Sequence, residues 1–412
     1  APNDPETLIY LNNAVAKEVS KINLLPISKS LTACSLPNNV GSNNQNNKLK
    51  IAAPVPIATE PHIARDILRG IAQAQNEINC NGGINGELLQ VMIVDDEDKK
   101  SVVIDVAKKL VENLNILAVA GHYSSSSTLQ AGKIYNGKIV AVSPTSNAFR
   151  KSRINPNGLD FSEWVFRVPP SVVKDLAEYM IDTKKFTKAA VAYIPNREWS
   201  KSTYQEFENY LKAKGSKIVH KCELNSNFRA RRCLNQAIKQ EAEVMLLLPE
   251  IVQNTIDKAS VLFEANYNRS NQLLMLGGTT MYGDKILRKS AENMVTGIYW
   301  HRNKIKPSKF ESDAFALWNA KINGRSAMGY DTTMVIAEGL RLMDNNPTRE
   351  GLKQVLSNPS FSATGAAGKV EFDENFDRKI TSENDAEIGV LVQVKCDNAI
   401  SSSCRFVRVS QQ

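Results

Sequence analysis

The sequence predicts an α/β protein built from two doubly wound units, and three observations carry this. Strand-like and helix-like segments alternate from Leu49 onward, the pattern of parallel sheets covered by helices on both faces. The alternation restarts near Val172, after the first set of strands is complete. The chain has 412 residues, more than one ordinary core organises, so a second unit is expected.

Residues 1–48 stand apart. NNVGSNNQNNK, Asn38 to Lys48, is polar and aperiodic and reads as a linker. PETLIYLNNAVAKEV before it reads as a short arm that packs on the main body. In the first unit LKIAAPVPI is a strand, and RDILRGIAQAQNEIN is an amphipathic helix with Ile67, Ile71, Ala74 and Ile78 on one face. NGGING is a turn and LLQVMIVDD a strand ending in acidic residues. SVVIDVAKKLVENL is a helix with Ser101 as its expected N-cap. ILAVAGH is a buried strand, STLQAGKIYN a helix and KIVAVSP a further strand.

The second unit runs VVKDLAEYMIDTKK (helix), KAAVAYIP (strand), TYQEFENYLKAKG (helix closed by Gly215), KIVHKCEL (strand), RCLNQAIKQ (helix), VMLLLP (strand), TIDKASVLFEANY (helix) and QLLMLGG (strand). After NMVTGIYWHRN come two helical segments, AFALWNAKI and TTMVIAEGLRLM. A β-rich stretch from GKVEFDENFD to RFVRV follows. The late segments must return to one unit or the other, so more than one crossing is expected.

Hydrophobic residues at 42% and charged residues at 23% fit a globular protein rather than a disordered one. No run reaches the roughly 18 apolar residues of a spanning helix. APNDPETLIYLNN lacks a basic and then apolar leader, so a signal or anchor has been removed or the chain belongs to a longer protein. The net charge of +8 is scattered. Its densest clusters, Arg229, Arg231 and Arg232 with Lys184, Lys185 and Lys188, have no interleaved aromatic residues and read as solvated faces, so no nucleic-acid partner is expected.

None of the six cysteines lies in a CxxC motif, which argues against a zinc or thioredoxin-type site. Cys396 and Cys404 flank DNAISSS between VLVQV and RFVRV, as a hairpin closed by a disulfide would, and that implies an oxidising compartment. Cys222 and Cys233 are a second candidate pair. Six reduced thiols remain the alternative.

The stretch GHYSSSSTLQAG, Gly121 to Gly132, admits three readings: a flexible linker, a catalytic hydroxyl beside His122, or a cradle for a polar ligand. It lies between an apolar strand and an amphipathic helix, so the linker reading falls. Ligands of doubly wound sheets bind beyond the carboxyl ends of strands, where helix N–H groups and dipole favour an anion. Tyr123, Ser125 and Ser126 are candidates on this loop. VAVSPTSNAFR repeats the arrangement on the next strand with Thr145, Ser146 and Asn147. The alternative is hydroxyls that serve only as helix caps. Catalysis lacks a base and orienting acid in register with a serine, and there is no GxSxG, P-loop or HExxH. No enzyme activity, metal or cofactor is expected. Asp95, Asp96, Glu97 and Asp98 read as an exposed acidic loop rather than a metal site.

INCNGGINGELLQVMIVDDEDK, AVAGHYSSSSTLQAG, IVAVSPTSN, WVFRVPPS, YQEFENYLKAKG, GYDTTMVIAEGL and GKVEFDENFD, in this order, resemble the type I periplasmic binding proteins of the branched-chain amino-acid class, from about Leu49 to Val409. The resemblance implies two Rossmann-like lobes joined by a three-strand hinge and closing on a ligand. It implies crossings near WVFRVPP, GIYWHRN and TSENDAEIG, and so lobes of 49–167 with 300–383 and of 168–299 with 384–412, after the arm and linker of 1–48. It implies that Ser125 and the loop Thr145, Ser146, Asn147 hold an α-carboxylate. Trp199 stands at an aromatic lid position and Glu250 at another. Thr279 stands where amino-acid binders often carry the acid for the ammonium group, and Glu250 is the alternative source of that charge.

The implied function is capture of an amino acid or similar small polar solute for an ABC-transporter permease, in the periplasm or another extracytoplasmic space. Lobe closure is the signal, because only the closed form presents both surfaces to a partner. The alternative is the ligand-sensing domain of a larger signalling protein, which the arm and missing leader favour.

Overall fold

The computed structural model describes residues 4–22, 49–152, 158–250, 255–270, 272–302, 307–343, 346–366, 368–380, 388–397 and 403–409. The Asn-rich linker and most of the third expected crossing lie outside them. The chain divides into two compact units. The first comprises Ala1–Ile154, Asp160–Pro170 and Arg302–Asp385, and the second Asn155–Leu159, Ser171–His301 and Ala386–Gln412.

In the first unit, helix α1 (Pro5–Ile22) precedes β1 (Lys50–Val55), α2 (Pro61–Cys80), β2 (Gln90–Asp95), α3 (Lys100–Glu112), β3 (Ala118–Ala120), α4 (Ser125–Tyr135), β4 (Val140–Ser143) and β5 (Val165–Arg167). These strands form a parallel sheet in the order β2-β1-β3-β4-β5. Ile67, Ile71, Ala74 and Ile78 are buried on one face of α2, as their spacing predicts. Ser101 does not cap α3. The helix starts at Lys100 with an extended Lys99 before it and no side-chain cap, so Ser101 lies in the first turn, exposed.

The second unit contains α5 (Val173–Glu178), β6 (Lys188–Tyr193), α6 (Glu198–Ala213), β7 (Lys217–Glu223), α7 (Ala230–Lys239), β8 (Val244–Leu248), α8 (Thr255–Tyr267), β9 (Leu274–Gly277) and β10 (Val295–Trp300). The predicted helix from Val172 is regular only to Glu178, and its next turn widens into a π-turn over Tyr179–Thr183. Gly215, in the left-handed region, ends α6 as expected, and the Ser216 N–H returns to the Leu211 carbonyl at 2.8 Å.

Helices α9 (Lys309–Trp318), α10 (Gly324–Arg341) and α11 (Arg349–Leu356) return to the first unit with the hairpin β11 (Ala363–Gly365) and β12 (Gly368–Val370). Glycines let α10 lie directly on α2. A Cβ on Gly70 would fall 1.9 Å from the Ser326 carbonyl oxygen, and one on Gly329 2.5 Å from that of Ile67. Strands β13 (Ile388–Cys396) and β14 (Cys404–Arg408) finish the second unit. Its sheet runs β14-β13-β10-β9-β8-β6-β7, parallel from β10 to β7 and antiparallel at β13 and β14.

Both disulfides anticipated from spacing are present. Cys396–Cys404 joins directly paired residues of β13 and β14, and Cys222–Cys233 ties β7 to α7. β7 and β14 are the two edges of one sheet, so each bridge fastens an edge strand.

Helix α1 packs on α2 and β2, with Ile9 and Val15 buried. The Asn13 amide donates to the Val91 carbonyl at 2.7 Å and accepts from the Val91 N–H at 2.9 Å. β2 is an edge strand, so Asn13 stands where a further strand would pair.

Candidate functional site

β3 ends in a chain that turns inward at His122. The imidazole is fully enclosed, with Nδ1 2.6 Å from Asp96 Oδ2 and Nε2 2.9 Å from the Tyr135 hydroxyl. Burial first, and then the Asp96 charge, pushes the Tyr135 phenol well above its ordinary range. The ring is held between the Asp96 carboxylate on Nδ1 and the Tyr135 hydroxyl on Nε2. The His122 carbonyl accepts from Ser143 Oγ at 2.8 Å. His122 is thus an internal anchor, turned away from a nucleophile's role.

Beyond this anchor, Ser124 caps α4 and accepts from the Ser127 N–H at 3.1 Å. The helix begins at Ser125, two residues before the segment STLQAGKIYN that the sequence suggested. Ser124 and Ser127 donate their hydroxyl protons to Asp98 Oδ1.

The acidic loop is therefore not a simple exposed one. Asp96 is fully buried. The Asp95 carboxylate accepts from the backbone N–H groups of Ile57, Ala58 and Glu97 at 2.9, 3.1 and 3.0 Å. These carboxylates satisfy loop N–H groups and hydroxyls that would otherwise lack acceptors. Among the described residues no group of three or more His, Cys, Asp or Glu side chains could hold a metal.

Ser125 occupies the other side of the helix start and is 4% exposed. Its Oγ accepts from the Ala148 N–H at 3.1 Å and from the Ser146 hydroxyl at 3.2 Å. A hydroxyl has two acceptor positions and one proton, so the Ser125 O–H is left to donate elsewhere. The N–H groups of Ser125 and Ser126 have no partner within the helix. Ser146, fully buried, donates its N–H to Ser143 Oγ at 3.1 Å, and Thr145 donates to the Tyr123 carbonyl at 2.5 Å. The two loops anticipated from sequence are thus cross-linked, Ser125 to Ser146 and Tyr123 to Thr145, with Tyr123, Ser126 and Asn147 half-buried beside them.

The loop after β4 is held from behind. Arg167, at the end of β5, donates Nη1 to the Ala148 carbonyl, and its Nε lies 2.6 Å from Asp377 Oδ1. Arg150 Nε reaches the same oxygen at 3.3 Å. Both guanidinium groups lie over the Phe161 ring, at 5.2 Å for Arg150 and 4.6 Å for Arg167.

In the second unit, the remaining candidates follow three adjacent strands. Trp199, in the first turn of α6 after β6, is 8% exposed. Its ring packs so closely on the strand end that a Cβ at Gly278 would fall 2.8 Å from it. Glu250 follows β8, and its Oε2 lies 2.6 Å from Arg197 Nε. Burial raises the Glu250 carboxyl, opposed by Arg197. Thr279 opens a short turn after β9, and Thr280 donates to the Pro249 carbonyl at 2.6 Å. A Glu250 already paired with a guanidinium is poorly placed to be the lone partner of an ammonium group.

Sequence reasoning missed Arg197, Asp98, Arg167 and Asp377. Arg197 had a local signal, two residues before Trp199. The others acquire their roles through contacts far apart in sequence.

The family model for periplasmic binding protein matches residues 49–389. The chain belongs to that family. This periplasmic binding protein is similar to an amino acid binding protein of Pseudomonas aeruginosa, 40% identical over 79 residues, which are 19% of this chain and 21% of that one. The matched stretch is about a fifth of that relative's length. In fold it is similar to an ABC transporter substrate-binding protein from Desulfitobacterium hafniense solved in complex with Leu, with TM-score 0.70, 20% identity, and 88% of this chain and 100% of that one covered. A solute binding protein of an ABC transporter from Rhodopseudomonas palustris, solved with 3,4-dihydroxy benzoic acid, gives TM-score 0.66 at 14% identity, covering 89% and 97%. Among the described residues of this periplasmic binding protein, no helix is long and apolar enough to cross a membrane.

Proposed function

We propose that this chain is an extracytoplasmic receptor that captures a small carboxylate, amino acids first among them, for uptake through an ABC-transporter permease. One observation carries the reading. The Ser125 hydroxyl has both acceptor positions filled by Ala148 and Ser146, so its proton is directed to an acceptor outside the protein. The first N–H groups of α4 add donors and a favourable dipole for an anion. Thr145, Ser146, Asn147 and Tyr123 shape the rest of this rim, and Ser126 lies at its edge. Trp199, Glu250 and Thr279 are the candidates that the second unit carries by itself, with Trp199 the apolar surface among them. The relative solved with Leu and the one solved with 3,4-dihydroxy benzoic acid have carboxylate ligands in common. The two disulfides suit an oxidising, extracytoplasmic location.

A second reading is favoured by the Arg197–Glu250 pair at 2.6 Å and the uncharged Thr279. With Glu250 held by Arg197 and Thr279 uncharged, the ligand on this reading is a carboxylic acid without an α-amine. Thermal-shift screening against the twenty amino acids, benzoate, 3,4-dihydroxybenzoate and neutral sugars separates the readings. A ligand present at a hundred times its Kd stabilises by about 2.7 kcal/mol. A shift with an amino acid supports the first reading, and a shift with aromatic acids alone supports the second. Shifts with neutral sugars alone contradict both.

A further inference from the structure

Ala148 is gripped from two sides. Its N–H is held by Ser125 Oγ at 3.1 Å, and its carbonyl accepts from Arg167 Nη1. Arg167 is itself fixed by a carboxylate 210 residues away in sequence, with Nε 2.6 Å from Asp377 Oδ1 and Nη2 on Oδ2. The backbones are joined as well. The Arg167 N–H donates to the Phe376 carbonyl at 3.1 Å, and the Arg378 N–H to the Arg167 carbonyl at 2.9 Å. Arg150 closes the group, with Nε 3.3 Å from Asp377 Oδ1 and Nη2 2.7 Å from the Val165 carbonyl. A planar guanidinium with a bidentate carboxylate partner has little freedom to turn, so Arg167 Nη1 points at one place, the Ala148 carbonyl. The same residue carries the N–H that meets Ser125 Oγ, so holding its carbonyl restrains that N–H across one Cα.

We propose that Asp377 is a positioning residue for solute binding. Through Arg167 and the backbone carbonyl and N–H of Ala148 it holds Ser125 in the orientation that presents its proton to the ligand carboxylate. The inference rests on the proposed role of Ser125. Asp377 itself touches no ligand. Arg167 and Asp377 stand shortly before Pro170 and Asp385, where the chain leaves the first unit.

The test uses the full chain, the variants Asp377→Asn and Ser125→Ala and their double mutant, and Arg349→Gln as a control. Arg349 donates to the carbonyls of Ile116, Val111, Leu110 and Asn113 at the end of α3, so its loss is a stability defect remote from the rim. Two readouts are taken: amide hydrogen exchange at Ala148 without ligand, and calorimetric titration with L-leucine. In Asp377→Asn the exchange at Ala148 rises at least tenfold while amides of β8 are unchanged, and L-leucine binds about tenfold more weakly. The double mutant binds no more weakly than Ser125→Ala alone. Arg349→Gln lowers the melting temperature and alters neither readout.

Unchanged affinity in Asp377→Asn where Ser125→Ala weakens binding overturns the positioning role, as do additive losses in the double mutant. If Ser125→Ala binds L-leucine like wild type, the reading of Ser125 fails instead. If wild type ignores L-leucine, the amino-acid reading fails, and the Ala148 exchange rate alone decides the positioning role.

Discussion

His122 Nδ1 lies 2.6 Å from Asp96 Oδ2, with both side chains fully enclosed and the Tyr135 hydroxyl on the opposite ring nitrogen. This pair turns the chain at the end of β3 and sets the start of α4. Removing one member of a buried pair strands the other and costs about 3–5 kcal/mol. His122→Ala should lower stability by that amount in urea denaturation. A loss below about 1 kcal/mol would mean the pair is not what holds the turn.

Asn13 binds both backbone groups of Val91 at the edge of the first sheet. In Asn13→Ala these groups lose their partner, at a cost of about 1–3 kcal/mol if they stay shielded from water. Amide exchange at Val91 should accelerate while the central strand β3 keeps its protection. Equal exchange at Val91 in both proteins would remove α1 from this role.

The disulfides close separations of 11 and 8 residues and fasten the two edges of one sheet. Chain-entropy reasoning gives about 3 kcal/mol for a loop of this order. Cys222→Ala/Cys233→Ala and Cys396→Ala/Cys404→Ala should each lower the urea midpoint. Reduction of the native chain should do the same, and identical midpoints with and without reductant would contradict this.

The pH dependence of stability isolates Asp377. Burial alone would raise its carboxyl, but Arg167 and then Arg150 outweigh this and hold it below the ordinary 3.8. The unfolded chain therefore binds the proton more readily. The stabilisation is complete above about pH 3.8 and drains away as pH falls below it. Asp377→Asn lacks this term, so stability against pH should fall less steeply below pH 4 than in wild type. Parallel curves would show that the arginines do not depress this group.

Gly278 lets Trp199 lie against the end of β9. Gly278→Ala forces the ring or the strand to move, typically at 1–3 kcal/mol. Its tryptophan emission should shift to longer wavelength as the indole gains water, and an unchanged spectrum with unchanged stability would show that the space is available.

The layers were legible in the sequence because each is written locally. The face of Ile67, Ile71, Ala74 and Ile78 repeats at helical spacing, and the VLVQV and RFVRV runs alternate toward paired cysteines. The loop of serines could be told from a linker because it joins a buried strand to a helix. Other features depend on residues that meet only in the fold. Asp96 read as exposed because its partner, His122, lies on another strand end. Glu250 read as an available charge because nothing local reveals that Arg197 has taken it. Asp377 and Arg167 are separated by just over half the chain, and no spacing rule links them. The Ser101 cap failed for a local reason, since the chain from Asp95 to Lys99 is shaped by the loops around it.

Titration of Ser125→Ala against wild type with the solute found by screening decides whether Ser125 donates to a ligand carboxylate. A donor to a charged group contributes about 1.5–3 kcal/mol, so Kd should rise roughly ten- to a hundredfold, and the ligand-free protein should also lose some stability because the Ala148 N–H and the Ser146 hydroxyl lose their acceptor. An unchanged Kd would contradict the assignment of the rim.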